Sequence, residues 1–330
     1  MEVAGDRRLV TVERESPQPA PGQVVVEVAN CGICGSDLHF RNVPELFPAG
    51  TVPGHELAGR IVTLGAGVCD TWAVGDRVCV LPFGQCGECE LCRSGDEQVC
   101  PHAVADGVGL GTGRPGGYAE RLVVDERMLF PLPDAVDDRA GALVEPLAVA
   151  IRAVSRARGE PVLVLGAGPI GLLTALVLRE RGYERARIYS RNPQRAHRAA
   201  RLGLATVSLD ELRSDTPAHA PACVIDCAGT PSSAELAVQL LRPLGRLVLA
   251  GLSLEPLNLP APAVVIKELR IEGVIAYRRA EFQAAIELLA TGAIPVDDLV
   301  TATMPLERAE QAFQSLTAPG SEHLKILLTP

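Results

Sequence analysis

The run Gly166-Ala167-Gly168-Pro169-Ile170-Gly171 constrains the fold of this chain more than any other six residues. It follows directly on the apolar stretch 161–165 and opens a second apolar stretch that ends before Arg179. Glycines at this spacing, between a short strand and a helix, make a dinucleotide-binding turn. The first glycine permits the tight turn, the second lets a pyrophosphate approach the backbone, and the third lets helix and strand pack closely. The free amides and positive end of the helix dipole then hold the pyrophosphate. Outside that context the same glycines would make an ordinary turn. Residues 161–178 are eighteen positions without a charge. Their internal glycines and proline, and the flanking Arg179, Glu180 and Arg181, fit a strand, a turn and a buried helix better than a membrane span.

From about residue 143 the sequence alternates between strand and helix patterns. Strands are expected over 162–165, 186–189, 223–226, 245–250 and 270–275, and helices over 170–181, 193–202 and 232–241. That rhythm predicts a doubly wound parallel sheet. The preceding part is different. Short alternating runs at 24–28, 56–62, 75–80 and 117–124, punctuated by Gly and Pro, predict an antiparallel, barrel-like β domain. After the sheet come amphipathic helices at 280–290 and 306–316 and a closing strand at 324–328. The expected class is α/β plus all-β, with a β-rich first segment over 1–142, the dinucleotide domain over 143–276, and a return to the first domain over 277–330. A chain of 330 residues fits about two domains.

The second strand of a dinucleotide domain normally ends in an acid that holds the adenosine ribose. Here Ser190 occupies that place and Arg191 follows it, with Arg195 one turn further on. No carboxylate is left to repel a 2′-phosphate, and guanidinium groups can form charge-assisted bonds to one. The expectation is NADP, with NAD as the alternative and solvated surface arginines as the bland reading.

Ten cysteines are unevenly placed: eight lie between Cys31 and Cys100, and the others are Cys223 and Cys227. Residues 1–10 contain no apolar core of a signal peptide, so a reducing cytoplasm is expected, where clustered thiols hold metal more often than they form disulfides. Cys86, Cys89, Cys92 and Cys100 give C-x2-C-x2-C-x7-C on one loop, a lobe over 84–101. Four thiolates so placed predict a closed, structural zinc site. An iron–sulfur cluster is the rival, but bacterial ferredoxin runs close after three residues, not seven. Cys31, Cys69 and Cys79 lie in strand-like segments and are expected in the core. The net charge of −9 argues against a general binder of nucleic-acid phosphates.

Several motifs occur together and in one order: Gly32-Ile33-Cys34-Gly35-Ser36-Asp37, Gly54-His55-Glu56, Gly75-Asp76-Arg77-Val78, the four-cysteine lobe, Glu145-Pro146 and the glycine turn. On these motifs the chain resembles the zinc-containing medium-chain dehydrogenases/reductases, most of all the sorbitol (polyol) and threonine dehydrogenase branch. The resemblance spans nearly the whole sequence. It implies a GroES-like catalytic domain, a Rossmann domain, and a cleft between them holding a catalytic zinc besides the structural one. It implies Cys34 and His55 as zinc ligands, with Glu56 or Glu145 completing the set, and Asp37 as the carboxylate that orients the histidine. Ser36 and His39 match the proton relay of the family. Cys227 falls near the nicotinamide contacts, though burial alone would explain it.

The chemistry so implied is hydride transfer between NADP(H) and a secondary alcohol, polyol or sugar, with zinc as Lewis acid and Ser36 passing the hydroxyl proton toward His39. Leu38, Phe40, Phe47 and Leu110 are candidates to line the substrate pocket. An NAD-linked threonine or butanediol type of dehydrogenase is the enzymatic alternative, and a catalytically inactive zinc-binding scaffold is the alternative of another class. No membrane partner and no nucleic acid are expected, and a homodimer or homotetramer is.

Overall fold

The strand Gln23–Gly32 is the spine of the β-rich part of the chain. Its alternating valines Val24, Val26 and Val28 are buried in one core, with Cys31 and Ile33 beyond them. Glu56–Leu64 runs antiparallel along its length, Arg121–Asp125 pairs with its first half, and Lys325–Thr329 pairs antiparallel at Cys31 and Gly32. The sheet continues outward through Arg77–Val80 to Leu129–Pro131 on one side, and through Val300–Pro305 on the other. Val300–Pro305 lies parallel to Lys325–Thr329, the one parallel pairing of this seven-stranded sheet. Phe313, from the helix Ala309–Thr317, packs edge-on against Tyr118 in the same core.

In this computed structural model the described residues are 1–216 and 218–330. They divide into two units, Met1–Glu145 with Arg278–Pro330, and Pro146–Tyr277. The first unit is thus built from two stretches of sequence, and its last strand comes from the far end of the chain.

The second unit holds a five-stranded, fully parallel sheet in the order Arg270–Gly273, Arg246–Leu249, Cys223–Asp226, Val162–Leu165, Ala186–Tyr189. Val162–Leu165 is buried throughout, as a central strand must be. Its two neighbours are its successor Ala186–Tyr189 and the later strand Cys223–Asp226, so the order of strands reverses beside it. In such sheets the crevice at the carboxyl ends of the strands, at the reversal, is the place for a ligand. Among the described residues no helix is long and apolar enough to cross a membrane.

Three expectations need correction. The strand expected over 117–124 is formed only by Arg121–Asp125. Residues 117 and 118 turn away because Gly117 donates its amide to the Gly54 carbonyl (2.7 Å) and Tyr118 donates to that of Pro53 (3.0 Å). Cys69 is not a core residue: it is exposed in a loop, where its amide donates to the Glu126 carboxylate. Phe47 is buried in the core of the first unit, with Leu38 and Phe40 half-buried against it. The helix expected over 306–316 begins as a single 3-10 turn, Leu306–Arg308, before Ala309–Thr317.

Candidate active site and metal centres

The ladder between Gln23–Gly32 and Glu56–Leu64 sets Gly32 opposite Glu56. Residues just after the first strand and just before the second therefore meet at one end of the sheet. Cys34 leaves the first strand at the head of the short helix Gly35–Phe40, and His55 precedes the second. Gly54 makes that approach possible. Its φ of +103° suits glycine, and a Cβ there would lie 2.5 Å from Tyr118 Cδ1 and 2.8 Å from Cys31 Sγ.

The potential ligand atoms of Cys34, His55 and Glu56 lie within 4.8 Å of one another, His55 and Glu56 buried and Cys34 half-buried. Sulfur, nitrogen and carboxylate oxygen at this spacing suit zinc, and three protein ligands leave a position for substrate. Glu145 is buried in the first turn of the helix Val144–Ser155, outside that 4.8 Å grouping.

Asp37 lies between the histidine and its surroundings. Its Oδ1 stands 3.5 Å from His55 Nδ1, which leaves Nε2 as the nitrogen to offer a metal. Its Oδ2 accepts from the Cys34 amide (3.0 Å) and from the Tyr118 hydroxyl (2.8 Å). Burial alone would lower the His55 pKa, but the negative charges of Asp37 and Cys34 outweigh it and hold the metal-free imidazole well above its usual range. Burial, reinforced by the charge of Asp37, also keeps the Cys31 thiol and the Tyr118 phenol protonated.

Two residues of this centre escaped the sequence reading. Tyr118 follows the glycine pair at 116–117 and is fully buried. Lys325 is also buried, and its ammonium donates to Glu56 Oε1 (2.7 Å), Glu56 Oε2 (2.6 Å) and the Ile33 carbonyl (2.8 Å). Burial by itself would lower its pKa, but Glu56, then Cys34 and more weakly Glu145, reverse the direction and keep it charged. A lysine inside the apolar closing strand Leu324-Lys325-Ile326-Leu327-Leu328 was the one signal that could have found it. Ser36 is half-buried and His39 exposed, three residues apart on the helix Gly35–Phe40.

The four-cysteine lobe is closed on itself. Sulfur separations are 3.8 Å for Cys86–Cys92, 3.9 Å for Cys89–Cys100 and 3.7 Å for Cys100–Cys86. A tetrahedron of thiolates about 2.3 Å from zinc has edges of about 3.8 Å. Backbone amides point at the sulfurs, Cys89 N to Cys86 (3.3 Å), Cys92 N to Cys89 (3.4 Å) and His102 N to Cys100 (3.4 Å). Amides from Glu88 and Cys89 pull the Cys86 thiol down to about 6, so it is a ready thiolate. Asp96, inside the lobe, accepts from Arg278 through both guanidinium nitrogens Nε (2.9 Å) and Nη2 (2.7 Å).

In the second unit, Gly166 has φ +97° and Gly168 caps the helix Pro169–Glu180, with Pro169 at its first position. At Gly171 any side chain would collide with the Gly166 carbonyl, so the third glycine is the packing glycine of the motif. Ser190, at the end of Ala186–Tyr189, accepts from the Asn192 amide at 3.2 Å. Arg191 is exposed and donates to Ser232 Oγ at 3.3 Å. The Arg195 Nη1 lies 3.8 Å from where a Gly168 Cβ would be, over the turn itself. Cys227 bonds the Thr174 hydroxyl (3.6 Å), and burial pushes its thiol up to about 12.

Comparison with known proteins meets this geometry from the outside. Residues 20–134 match the model of the alcohol dehydrogenase GroES-like domain, and residues 169–291 that of zinc-binding dehydrogenase. A sorbitol dehydrogenase of Halalkalibacterium halodurans is 32% identical, over 96% of this chain and 95% of its own. The chain belongs to the zinc-containing medium-chain dehydrogenases/reductases. Solved structures agree across the full length. The Escherichia coli CFT073 short chain alcohol dehydrogenase rspB, complexed with NADH, superposes with a TM-score of 0.90 at 30% identity, covering 100% of this chain and 98% of that one. A zinc-binding dehydrogenase of Sinorhizobium meliloti 1021 bound to NADP gives 0.88 at 28%, with coverage of 100% and 98%. As a medium-chain dehydrogenase the protein is an oxidoreductase, and its seven-stranded and five-stranded sheets belong to the GroES-like and Rossmann parts of that fold.

Proposed function

We propose that the protein interconverts a secondary alcohol, polyol or sugar hydroxyl and its carbonyl form by hydride exchange with NADP(H). The observation that carries this reading is the buried Cys34–His55–Glu56 cluster at one end of the GroES-like sheet. The sulfur, nitrogen and oxygen donors suit a catalytic zinc, and the cluster includes Glu56 while Glu145 stands outside it, which favours Glu56 as the third ligand. Bound there, zinc would supply Lewis acidity toward a substrate oxygen. The residues of the chain do the rest. Asp37 holds the imidazole with Nε2 free, and Tyr118 and the Cys34 amide hold Asp37. Ser36 takes the hydroxyl proton and passes it toward His39, which is exposed and can hand it to solvent. The four cysteines at 86–100 would hold a structural zinc, since their closed set offers no open position.

The preference for NADP is supported by the absence of an acid at Ser190 and by two guanidinium groups at the mouth of the turn, Arg191 on the ribose side and Arg195 over Gly168. The polyol substrate class is supported by the sorbitol dehydrogenase relative and by the carboxylate in the cluster. A homodimer or homotetramer is supported by the strand Arg270–Gly273, which among the described residues has a neighbour on one side only. Near it in sequence, Val265 (73%), Ile266 (82%) and Ile275 (53%) are strongly exposed. A reducing, cytoplasmic setting suits ten free thiols, of which at least five would bind metal.

The deciding experiment is a panel of polyols, sugars, secondary alcohols and their carbonyl partners, assayed with NADP(H) and NAD(H) on zinc-loaded protein. Turnover of a polyol or secondary alcohol that is abolished by a strong chelator and restored by zinc supports the reading. No turnover of any member by a fully zinc-loaded chain overturns it.

A further inference from the structure

Lys325 is the first residue of the strand Lys325–Thr329, and only 3% of it is exposed. A lysine in such a place is costly unless its charge and its three donors are met. Here all three are met, by the two oxygens of Glu56 and the carbonyl of Ile33. The acceptors have a common position in the chain. Ile33 immediately precedes Cys34, and Glu56 immediately follows His55. The strand pairing delivers the lysine to that spot: Leu327 lies opposite Gly32, and Ile33 donates its amide to the Ile326 carbonyl at 3.0 Å. One ammonium therefore ties together the two segments that carry the sulfur and nitrogen ligands. It comes from a strand that contributes no ligand itself.

We propose that Lys325 is a positioning residue for the Cys34–His55–Glu56 metal centre, holding the segment before Cys34 and the segment after His55 at fixed separation so that the donor atoms are spaced for the ion before it binds. The inference rests on the metal reading given above. A lysine that merely neutralised one buried carboxylate would need neither the Ile33 carbonyl nor this place in the ladder. Removing Lys325 loosens both ligand segments and leaves the four-cysteine lobe untouched, because that lobe takes its hydrogen bonds from its own backbone and from Arg278.

The test is zinc release from the zinc-loaded full chain to a chelating dye, followed in time for the natural protein, K325M and K325R. The lobe serves as internal control. The expected result is that K325M speeds one release phase by about tenfold or more, as loss of a partner behind a ligand does, while the other phase is unchanged. K325R, which keeps the charge and the donors, recovers most of the slow release. The cobalt-substituted K325M protein shows a shifted d–d spectrum from the same centre. If K325M fails to fold, K325Q, which keeps one donor group, takes its place. Unchanged release and spectrum in the variant overturn the proposal, and so does equal acceleration of both phases, which marks general destabilisation. A natural protein that yields only the lobe zinc is a separate result, and it overturns the metal reading beneath the proposal.

Discussion

The Tyr118 hydroxyl donates to Asp37 Oδ2 at 2.8 Å, while the other oxygen of the same carboxylate faces His55 Nδ1 at 3.5 Å. A tyrosine on one loop thereby holds the carboxylate that faces an imidazole on another. Tyr118→Phe keeps the packing against Phe313 and removes only the hydroxyl. It should cost about 1.5–3 kcal/mol of stability, the range for hydrogen bonds to charged groups. Zinc affinity of the Cys34–His55 centre should drop by about tenfold to a hundredfold. Zinc titration alongside thermal unfolding checks both, and an unchanged affinity would show that Asp37 is held well enough without the phenol.

Cys34→Ala and His55→Ala should each abolish turnover and lower the zinc content by about one equivalent, with the lobe zinc retained. Metal analysis of the purified variants separates this from loss of fold. A variant with normal activity would remove the residue from the catalytic set.

The raised pKa of metal-free His55 carries a definite sign. With its folded pKa above the unfolded value of about 6.5, its contribution to the stability of the metal-free protein is fully present below that value. It is lost as pH rises through the raised folded value. Zinc needs the neutral imidazole, so binding at this centre must release a proton and grow tighter as pH rises through the same window. Calorimetry of zinc binding in buffers of different ionisation enthalpy counts that proton. A binding constant flat from pH 6.5 upward would contradict the assignment.

Arg191→Asp places a carboxylate beside Ser190, where a 2′-phosphate is expected. The ratio of kcat/KM for NADP to that for NAD should fall by about one to two orders of magnitude, the worth of a charge-assisted pair lost and a repulsion gained. Arg195→Ala should weaken the binding of both cofactors, because its guanidinium lies over the glycine turn. Steady-state kinetics with both dinucleotides decides, and an unmoved ratio leaves Arg191 a surface residue.

The parallel sheet was legible almost strand for strand, because a buried strand followed by a turn and a helix writes its period into neighbouring residues. Val162–Leu165, Ala186–Tyr189 and Cys223–Asp226 fall where the pattern puts them. The four-cysteine lobe was equally plain, since all its donors lie on one loop. Features that depend on distant partners were less so. Nothing near Tyr118 in the sequence points to Asp37, 81 positions away. The strand Val300–Pro305 alternates weakly, because it is half-exposed at the sheet edge and gets its register from Lys325–Thr329. Cys69 has an apolar neighbour in Val68, yet local pattern could not show that its loop leaves the sheet.

The late arrival of Lys325–Thr329 has a consequence for biogenesis. Strands and turn of the Rossmann unit are all in hand once residue 277 has been made, and that unit can condense while the chain is still growing. The candidate metal centre in the first unit cannot. Its cysteine and histidine emerge early, but the strand that closes on Cys31 and Gly32 begins 269 positions after Glu56. On the ribosome, therefore, Cys34 and His55 wait with their sheet unfinished until that strand is made, and zinc delivered earlier to the nascent chain would meet a finished lobe and an unfinished Cys34–His55–Glu56 cluster.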